Sequence, residues 1–207
     1  MYNIHRIVLI LNWANILFCQ KKLGDSSVIK LFRNGWAYFR GLIFKIFHCG
    51  IVGNKFRYFS GASIRLYRGS NAKIGNHVKI DNHAVIAVQG QGVLEIGNDV
   101  GIGINNMIVC HKSLRIQDGT ILGPGVNIYD HDHLYSQKNG VDSKTYKYAD
   151  VNIGKNCWIG ANTVILRGTT IGDNSVIGAG CVLKGEYPAG AIIIQKRETT
   201  IIKDEGK

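Results

Sequence analysis

Residues 153–188 read IGKNCW-IGANTV-ILRGTT-IGDNSV-IGAGCV-LKGEYP, a pattern of six residues repeated six times. The first residue of every block is aliphatic, and the residue two places before each following block is small, as at Cys157, Thr163 and Ser175. Residues two apart share one face of a strand, so each block predicts a short strand with one large and one small side chain turned inward. A fixed short repeat of this kind decides the architecture.

The fourth residue of each block predicts a tight turn, because Asn and Gly tolerate a left-handed backbone. These residues are Asn156, Asn162, Gly168, Asn174 and Gly180.

The repeat continues less regularly toward the N-terminus, with aliphatic residues six apart in residues 74–86, 96–108 and 116–128. The corresponding turn positions are His77, His83, Asp99, Asn105, Gly119 and Gly125. A period of six fits neither an α-helix nor a flat sheet. Three sides of six residues close one coil, and successive coils then stack about 4.8 Å apart as parallel strands.

The composition excludes several classes of protein. Hydrophobic residues make up 45% of the 207 residues and charged residues 19%, which argues against disorder. The 26 glycines do not fall at every third position, which excludes collagen. Five cysteines without a C-x-x-C pair favour a reducing compartment, and the apolar run 7–18 is too short to cross a bilayer, so we expect a cytoplasmic protein.

The charge divides the chain near Arg68. Residues 1–68 hold 11 basic residues and one acidic residue, Asp25, a net charge of +10, whereas residues 69–207 hold 14 basic and 13 acidic residues, a net charge of +1. We therefore expect a basic, helical N-terminal segment over residues 1–68. A β-helical domain over 69–207 would follow, with a loop at 130–150 and a C-terminal tail.

Residues 70–190 resemble the hexapeptide-repeat acyltransferases, in particular the galactoside, maltose and capsular polysaccharide O-acetyltransferases. The resemblance is carried by the hexads and by the motif Ile-Gly-Lys-Asn-Cys-Trp-Ile-Gly-Ala that ends at Ala161. It implies a mainly β fold, a left-handed parallel β-helix, and an enzyme that transfers an acetyl group from acetyl-CoA to a sugar hydroxyl. It also implies a homotrimer with active sites between neighbouring subunits.

The longest interruption of the repeat begins with Asp-His-Asp-His at residues 130–133 and continues as a polar loop to residue 150. Such loops are often functional. The resemblance nominates His131 as the general base, with His133 as the alternative. An imidazole, whose ordinary pKa is about 6.5, accepts a hydroxyl proton at neutral pH. Binding of a divalent metal by these residues and a merely solvated loop are the competing interpretations.

The donor is expected to lie along small residues that recur eighteen positions apart. Gly160, Ala161, Gly178 and Ala179 stack in this way and would expose backbone N–H groups to a pantetheine arm. The resemblance makes the N–H of Ala161 the oxyanion donor. These residues could also serve only to relax the corner of the coil.

The resemblance places the nucleotide end of coenzyme A near Lys184, Lys196 and Arg197. Trp158 follows a small inward residue and is expected to point outward, toward the acceptor. We expect three further residues to hold the sugar acceptor: Asn105, Asn106 and His111. Counting places Asn106 at an inward position, which suggested a register slip there.

Between residues 28 and 47 the apolar residues are spaced three to four apart and predict one helical stripe. They are Val28, Phe32, Trp36, Phe39, Ile43, Ile46 and Phe47. Cations on the other side of the helix suit an anionic membrane surface. The stripe could instead pack on the first coil or on a neighbouring subunit. No nucleic-acid-binding motif accompanies it, so nucleic acid is not an expected partner.

Three alternatives to the O-acetyltransferase stay open from the sequence. One is an N-acetyltransferase of an amino-sugar nucleotide, and another is a non-catalytic β-helix that binds a membrane or a partner. The third is a metal-dependent enzyme like the carbonic anhydrases of this fold. Their usual His-x4-His pair is missing from the sequence, and we expect no metal.

Overall fold

The computed structural model describes residues 27–196 and residue 198. The chain divides into two compact units, residues 1–35 and residues 36–207. Helix α1 runs from Ser27 to Phe47, and its first nine residues are the described part of the first unit. The remainder of α1 and all described strands belong to the second unit.

The strands of the second unit form three parallel sheets, and the chain visits each sheet once per coil. The first sheet has seven strands: β1 (Arg57–Tyr58), β4 (Lys79–Ile80), β7 (Gly101–Ile102), β10 (Ile121–Leu122), β15 (Trp158–Ile159), β18 (Val176–Ile177) and β21 (Ile192–Ile193). The second has six: β2 (Ser63–Leu66), β5 (Val85–Val88), β8 (Met107–Cys110), β11 (Asn127–Tyr129), β16 (Val164–Ile165) and β19 (Val182–Leu183).

The third sheet also has six strands: β3 (Asn71–Ile74), β6 (Val93–Ile96), β9 (Ser113–Ile116), β14 (Val151–Ile153), β17 (Thr170–Ile171) and β20 (Glu186–Tyr187). The described residues therefore form six complete coils, and β21 begins a seventh. Two antiparallel strands, β12 (His131–Ser136) and β13 (Gly140–Tyr148), leave the coils as a hairpin. The predicted parallel β-helix with an N-terminal helix is confirmed.

The interior confirms the reading of the hexads. The aliphatic first residues, such as Ile153, Ile165 and Leu183, are at most 1% exposed, and the small inward residues are buried between them. All eleven predicted turn residues have positive φ, from 53° at Asn156 to 75° at Gly168. The repeat thus fixes both the core and the corners of the coil.

The β-helix begins earlier than the predicted boundary at Arg68, because β1 and β2 already pair with the following coil. Their interior positions are filled by Phe56 and Phe59 rather than by the Ile of a regular hexad. Early coils are also longer: Lys79 pairs with Gly101, 22 residues on, whereas Trp158 pairs with Val176, 18 residues on. The charge of the sequence changes near residue 68, but the β-helix continues through that point.

Helix α1 packs through a different face from the predicted stripe. Ala37 and Phe44 are buried, and Gly41 lies so close to the carbonyl of Phe56 that a side chain there would collide with it. Ile46 and Phe47, which belong to the predicted stripe, are 66% and 71% exposed. Small residues were the better packing signal, because they let the helix backbone approach the first coil.

Three edges join the sheets, and they differ in the side chains that they carry. The rail edge leads from the first to the second sheet at residues 103–106, 123–126, 160–163 and 178–181. The histidine edge leads from the second to the third sheet at residues 111–112, 130–150, 166–169 and 184–185. The ladder edge leads from the third sheet to the first at residues 75–78, 97–100, 117–120, 154–157 and 172–175.

Side chains of adjacent coils cap the backbone along the ladder edge. Oδ1 of Asn98 accepts from the N–H of Asn76 at 2.9 Å. Oδ1 of Asp118 accepts from the N–H of Asn98 at 2.6 Å, and Oδ1 of Asp173 accepts from the N–H of Lys155 at 2.7 Å. Each side chain caps one N–H and is exposed or half-buried, which is a structural use of polar groups.

Candidate active site

The predicted polar loop at 130–150 is an antiparallel β-hairpin. His131 pairs with Tyr148 and His133 with Tyr146, and the register then shifts between His133 and Leu134. Gly140, with φ +70°, starts the returning strand. The hairpin carries both candidate histidines on its first strand, at the base where it leaves the histidine edge.

Asp130 anchors the base of the hairpin. Its side chain is fully buried, and its two carboxylate oxygens accept hydrogen bonds from three consecutive backbone N–H groups. The donors are His111 at 2.8 and 3.0 Å, Lys112 at 2.7 Å and Ser113 at 3.0 Å. Nδ1 of His131 lies 3.3 Å from Oδ1 of the same carboxylate. These donors offset the cost of burying the carboxylate.

Aromatic rings surround His131, whose side chain is 13% exposed. The His111 ring lies 3.9 Å away between centroids, and the rings of Tyr146 and Tyr129 present their edges at 5.4 and 6.2 Å. His133 is exposed and contacts Tyr146 at 4.6 Å. Of the two candidates, His131 is the one held by a carboxylate and by rings, which is the arrangement that an oriented base needs.

The environment of His111, the imidazole beside His131, favours its neutral form. Partial burial lowers the pKa of His111, and the neighbouring His131 lowers it further, against the opposing effect of Asp130. A neutral imidazole beside His131 has one N–H donor and one acceptor nitrogen for a hydroxyl group. The role of His111 next to the acceptor stays a prediction.

Two ion pairs fasten the hairpin to the coils. Arg167, on the next coil, donates to a carboxylate oxygen of Asp132 in a close contact, and its own side chain is only 15% exposed. At the other end of the hairpin, Nζ of Lys112 lies 2.9 Å from Oδ1 of Asp150. The histidines are therefore carried by a segment tied down at both ends.

The predicted donor residues lie on a different edge. Gly160, Ala161, Gly178 and Ala179 belong to the rail edge, so in one chain the second sheet separates them from His131. A Cβ on Gly160 would meet the backbone N of Ala179 at 2.5 Å, so close stacking of the coils requires this glycine. Gly178 is less crowded, since its nearest neighbour would be 3.4 Å away.

The N–H groups of Ala161 and Ala179 find no hydrogen-bond acceptor within residues 27–196. On the ladder edge, the equivalent N–H of Lys155 is capped by Asp173. Two adjacent coils of the rail edge thus offer free donors to a carbonyl oxygen.

The three predicted phosphate ligands divide between two edges and the tail. Lys184 is exposed on the histidine edge, two coils beyond His131. Lys196 is exposed just after β21, at the end of the rail edge. Arg197 lies outside the described residues. Only Lys196 therefore continues the rail.

The predicted acceptor residues also separate. Trp158 is 59% exposed on the outer face of the first sheet, as expected. Asn105 is an exposed turn residue with φ +57°, whereas Asn106 is 1% exposed and accepts a hydrogen bond from the N–H of Val126. The register does not slip there, and Asn106 has a structural contact, so we leave it out of the proposed site.

Sequence reasoning missed the role of three side chains at this site. Asp130 was considered only as a metal ligand, and Tyr146 and Arg167 were not singled out. The sequence signal for Asp130 was its place between a buried strand and the candidate base. Tyr146 and Arg167 gave no such signal, because a hairpin fold and a neighbouring coil bring them to the histidines. The described residues contain no group of three His, Cys, Asp or Glu side chains arranged to hold a metal ion.

Comparison with known proteins confirms the resemblance. Residues 150–185 match the family described as bacterial transferase hexapeptide (six repeats). The chain is 32% identical to galactoside O-acetyltransferase of Escherichia coli K12 over 99 residues, 48% of each chain, and thus spans about half of that relative's length. It is 27% identical to the putative lipopolysaccharide biosynthesis O-acetyl transferase WbbJ of the same strain, covering 86% of this chain and 89% of WbbJ.

Among solved structures, the N-acyltransferase AntD from Bacillus cereus, in complex with dTDP and 3-hydroxybutyryl-CoA, has a TM-score of 0.56. The superposition covers 72% of this chain and 80% of AntD at 20% sequence identity, a likeness that shows the fold.

Proposed function

We propose that this protein is an acetyl-CoA-dependent O-acetyltransferase that acts on a sugar hydroxyl in surface polysaccharide biosynthesis. His131 takes the hydroxyl proton, and the sugar oxygen attacks the thioester carbonyl carbon. The N–H of Ala161 stabilises the oxyanion. The C–S bond then breaks, the acetyl group stays on the sugar as an ester, and the thiolate of coenzyme A takes the proton from the imidazolium.

The observation that carries this proposal is the setting of His131. Its Nδ1 faces a buried carboxylate and its ring packs among aromatic rings, at the base of a hairpin tied to the coils. A positioned imidazole with a pKa near the working pH is the usual general base for a weak nucleophile and contributes about 10²–10⁴ in rate. Two relatives that bear the name O-acetyltransferase support the hydroxyl as acceptor.

The free N–H groups of the rail edge support a thioester donor, and AntD binds an acyl-CoA on the same fold. A backbone donor aimed at the oxyanion contributes about 10²–10³ in rate. We assign Lys196 and Arg197 to the phosphates of coenzyme A, because both follow the last coil of the rail. Lys184, on the histidine edge, would reach a coenzyme only from a neighbouring subunit.

The separation of rail and histidine edges supports a homotrimer, in which the rail of one subunit meets the hairpin of the next. The outer faces of the first and second sheets carry exposed apolar side chains, among them Ile121, Trp158 and Val182. The outer face of the third sheet is polar, as at Glu95 and Arg115. Equilibrium sedimentation checks this assembly, and a fully active monomer would contradict it.

The exposed face of α1 supports contact with the inner surface of the cytoplasmic membrane. Leu42, Ile46 and Phe47 are 57–71% exposed, and the first 68 residues carry a net charge of +10. No helix of the described part is long and apolar enough to cross a membrane. Apolar insertion plus attraction to anionic lipid gives reversible surface binding.

Cosedimentation with vesicles measures this binding. Vesicles that contain phosphatidylserine should retain the protein, vesicles of phosphatidylcholine alone should retain much less, and the Leu42→Glu/Ile46→Glu variant should remain in solution. Equal recovery of wild type and variant from the phosphatidylserine vesicles would contradict the membrane contact.

The enzymatic proposal is tested by offering acetyl-CoA together with galactosides, maltose and nucleotide sugars, and with an amino-sugar nucleotide in parallel. We expect an alkali-labile acetyl ester and release of the coenzyme A thiol. His131→Ala should lose about 10²–10⁴ in kcat while the coenzyme A affinity is retained. His77→Asn, a change at an exposed turn of the ladder edge, is the matched control and should keep wild-type turnover.

The rival activity is transfer of the acetyl group to the amino group of an amino sugar. The N-acyltransferase AntD, which has a similar fold, is the reason to test it. An alkali-stable amide formed only with the amino acceptor would establish it. Binding of coenzyme A without transfer to any acceptor would indicate a different acceptor class, whereas absence of binding would favour the non-catalytic β-helix.

A further inference from the structure

Asp130 differs from every other carboxylate that caps the backbone of the described coils. Asp118 is exposed and Asp173 is half-buried, and each accepts from one N–H of the neighbouring coil, together with a side-chain amide in the case of Asp118. Asp130 is fully buried, accepts four hydrogen bonds from three N–H groups, and faces an imidazole. Capping alone requires neither the burial nor the imidazole.

We propose that Asp130 is a positioning residue that fixes the orientation and tautomer of His131, by accepting a hydrogen bond from its Nδ1–H while the N–H groups of residues 111–113 hold the carboxylate in place. This inference rests on the proposed function, in which His131 is the base. It assigns to Asp130 a role that no contact to substrate would reveal.

The hydrogen bonds that the Asp130 carboxylate accepts support its role as a positioning residue. Oδ1 accepts from the N–H of His111, and Oδ2 accepts from the N–H groups of His111, Lys112 and Ser113. These donors come from rigid backbone at a coil corner, so the carboxylate cannot rotate away from Nδ1 without losing several of them. The imidazole is thereby aligned with a fixed partner.

The tautomer follows from that alignment. A carboxylate held by N–H donors can only accept, so the proton of neutral His131 must sit on Nδ1. Nε2 then carries the lone pair and is the nitrogen that takes the hydroxyl proton. After the transfer, the imidazolium faces a negative charge 3.3 Å away, which stabilises the protonated state of the base.

The other groups around the pair do not replace this partner. The ring of His111 and the edges of Tyr129 and Tyr146 pack against His131, and His133 lies beyond Tyr146. Burial raises the pKa of the Cys110 thiol, and Asp130 raises it further, so the thiol stays neutral. Two cations of the coils form ion pairs with the hairpin, Lys112 with Asp150 and Arg167 with Asp132. The lysines of the hairpin itself are exposed: Lys138, Lys144 and Lys147.

Substitution Asp130→Asn tests the role with little change in volume. The amide would present its NH2 group to Nδ1 and favour the opposite tautomer, with the proton on Nε2. We expect kcat to fall by about 10²–10⁴ while the KM for acetyl-CoA changes less than about twofold, by analogy with the loss of the aspartate of a catalytic triad.

The matched control is Asp132→Asn, two residues further along the same strand. Asp132 is 44% exposed and pairs with Arg167, so its loss removes an ion pair of the hairpin and leaves the tautomer of His131 unchanged. If Asp130 were only a structural cap, Asp130→Asn would lower the melting temperature and leave kcat per folded molecule as in the wild type. That result would overturn the proposal.

Nitrogen NMR of the histidine side chains gives a readout that needs no acceptor and no variant. We expect wild-type His131 to carry its proton on Nδ1 at neutral pH, and a proton on Nε2 would refute the positioning role even if the variant failed to fold. Failure of the enzymatic proposal looks different: the wild type would transfer acetyl to no acceptor while the Nδ1 tautomer was still observed.

Discussion

The ladder edge and the histidine edge satisfy the backbone N–H groups of the coil in different ways. Both must satisfy backbone N–H groups where the coil turns. The ladder edge uses exposed or half-buried Asn and Asp side chains, each capping one N–H of the adjacent coil. The histidine edge uses one buried carboxylate for three N–H groups and adds a hairpin that carries the candidate base.

The difference shows how to recognise a site on a repetitive scaffold. A polar group that recurs from coil to coil with the same partner belongs to the scaffold. A polar group that breaks the repeat, is buried and has an additional ionisable partner is a candidate for chemistry. Asp130 meets the second description, and Asp173 meets the first.

The largest effect is expected from adding a methyl group to the tight ladder edge. In Gly154→Ala the new Cβ would lie 2.5 Å from Oδ1 and 2.6 Å from the backbone N of Asp173. Backbone must shift, and we expect a loss of about 2–3 kcal/mol in the free energy of unfolding, measured by urea titration.

Gly168→Ala is the comparison on the histidine edge. Its φ is +75°, but the new Cβ would meet only the Cβ of Ala149, at 3.4 Å. We expect about 1–2 kcal/mol from the left-handed backbone alone. A smaller loss for Gly154→Ala than for Gly168→Ala would show that the ladder edge is not the tighter of the two.

An intermediate effect is expected from removing one cap of the ladder. Asp118→Ala deletes the acceptor for the N–H of Asn98, an exposed cap, and should lower the free energy of unfolding by about 0.5–1.5 kcal/mol. Activity per folded molecule should not change. A loss of kcat comparable with that of Asp130→Asn would erase the distinction between the two edges.

The smallest effect concerns the pH dependence of stability at the histidine edge. The pKa of His111 is lowered in the folded protein, mainly by burial, so the unfolded chain binds the proton more readily. Stability from this group is complete above the ordinary pKa of about 6.5 and is lost as the pH falls below it. His111→Gln cannot titrate there and should lose less stability between pH 7.5 and pH 5, as read from urea midpoints. An equal loss in both proteins would contradict this assignment.

Much of the fold was readable from the sequence because the repeat is local. A block such as Ile159 to Val164 specifies a strand, an inward side chain and a turn within six residues, and the predicted positive φ angles were all found. The first coil was misjudged because Phe56 and Phe59 fill its interior without the hexad signature. The sequence left open whether the apolar stripe of α1 packs on the first coil, and it did not indicate the face that does, since Ala37 and Gly41 contribute little to a hydrophobic pattern.

The site was less predictable than the fold. His131 was nominated by resemblance, and the structure adds the carboxylate, the neighbouring imidazole and the tyrosine that surround it. The resemblance implies that base and donor rail meet between neighbouring subunits, and the topology puts them on different edges of the same chain. Counting residues along hexads locates an edge, but which edges meet depends on assembly.

The sequence by itself determined the coil, its inward side chains and its corners, because each depends on contacts within a few residues or between identical positions of stacked coils. Only the tertiary structure decided which groups share a site. Asp130 reaches the N–H groups of residues 111–113, and Arg167 reaches Asp132, across coils that the chain visits 17 to 35 residues apart. A hairpin of irregular register set between two coils fixes those distances, and no local pattern encodes them.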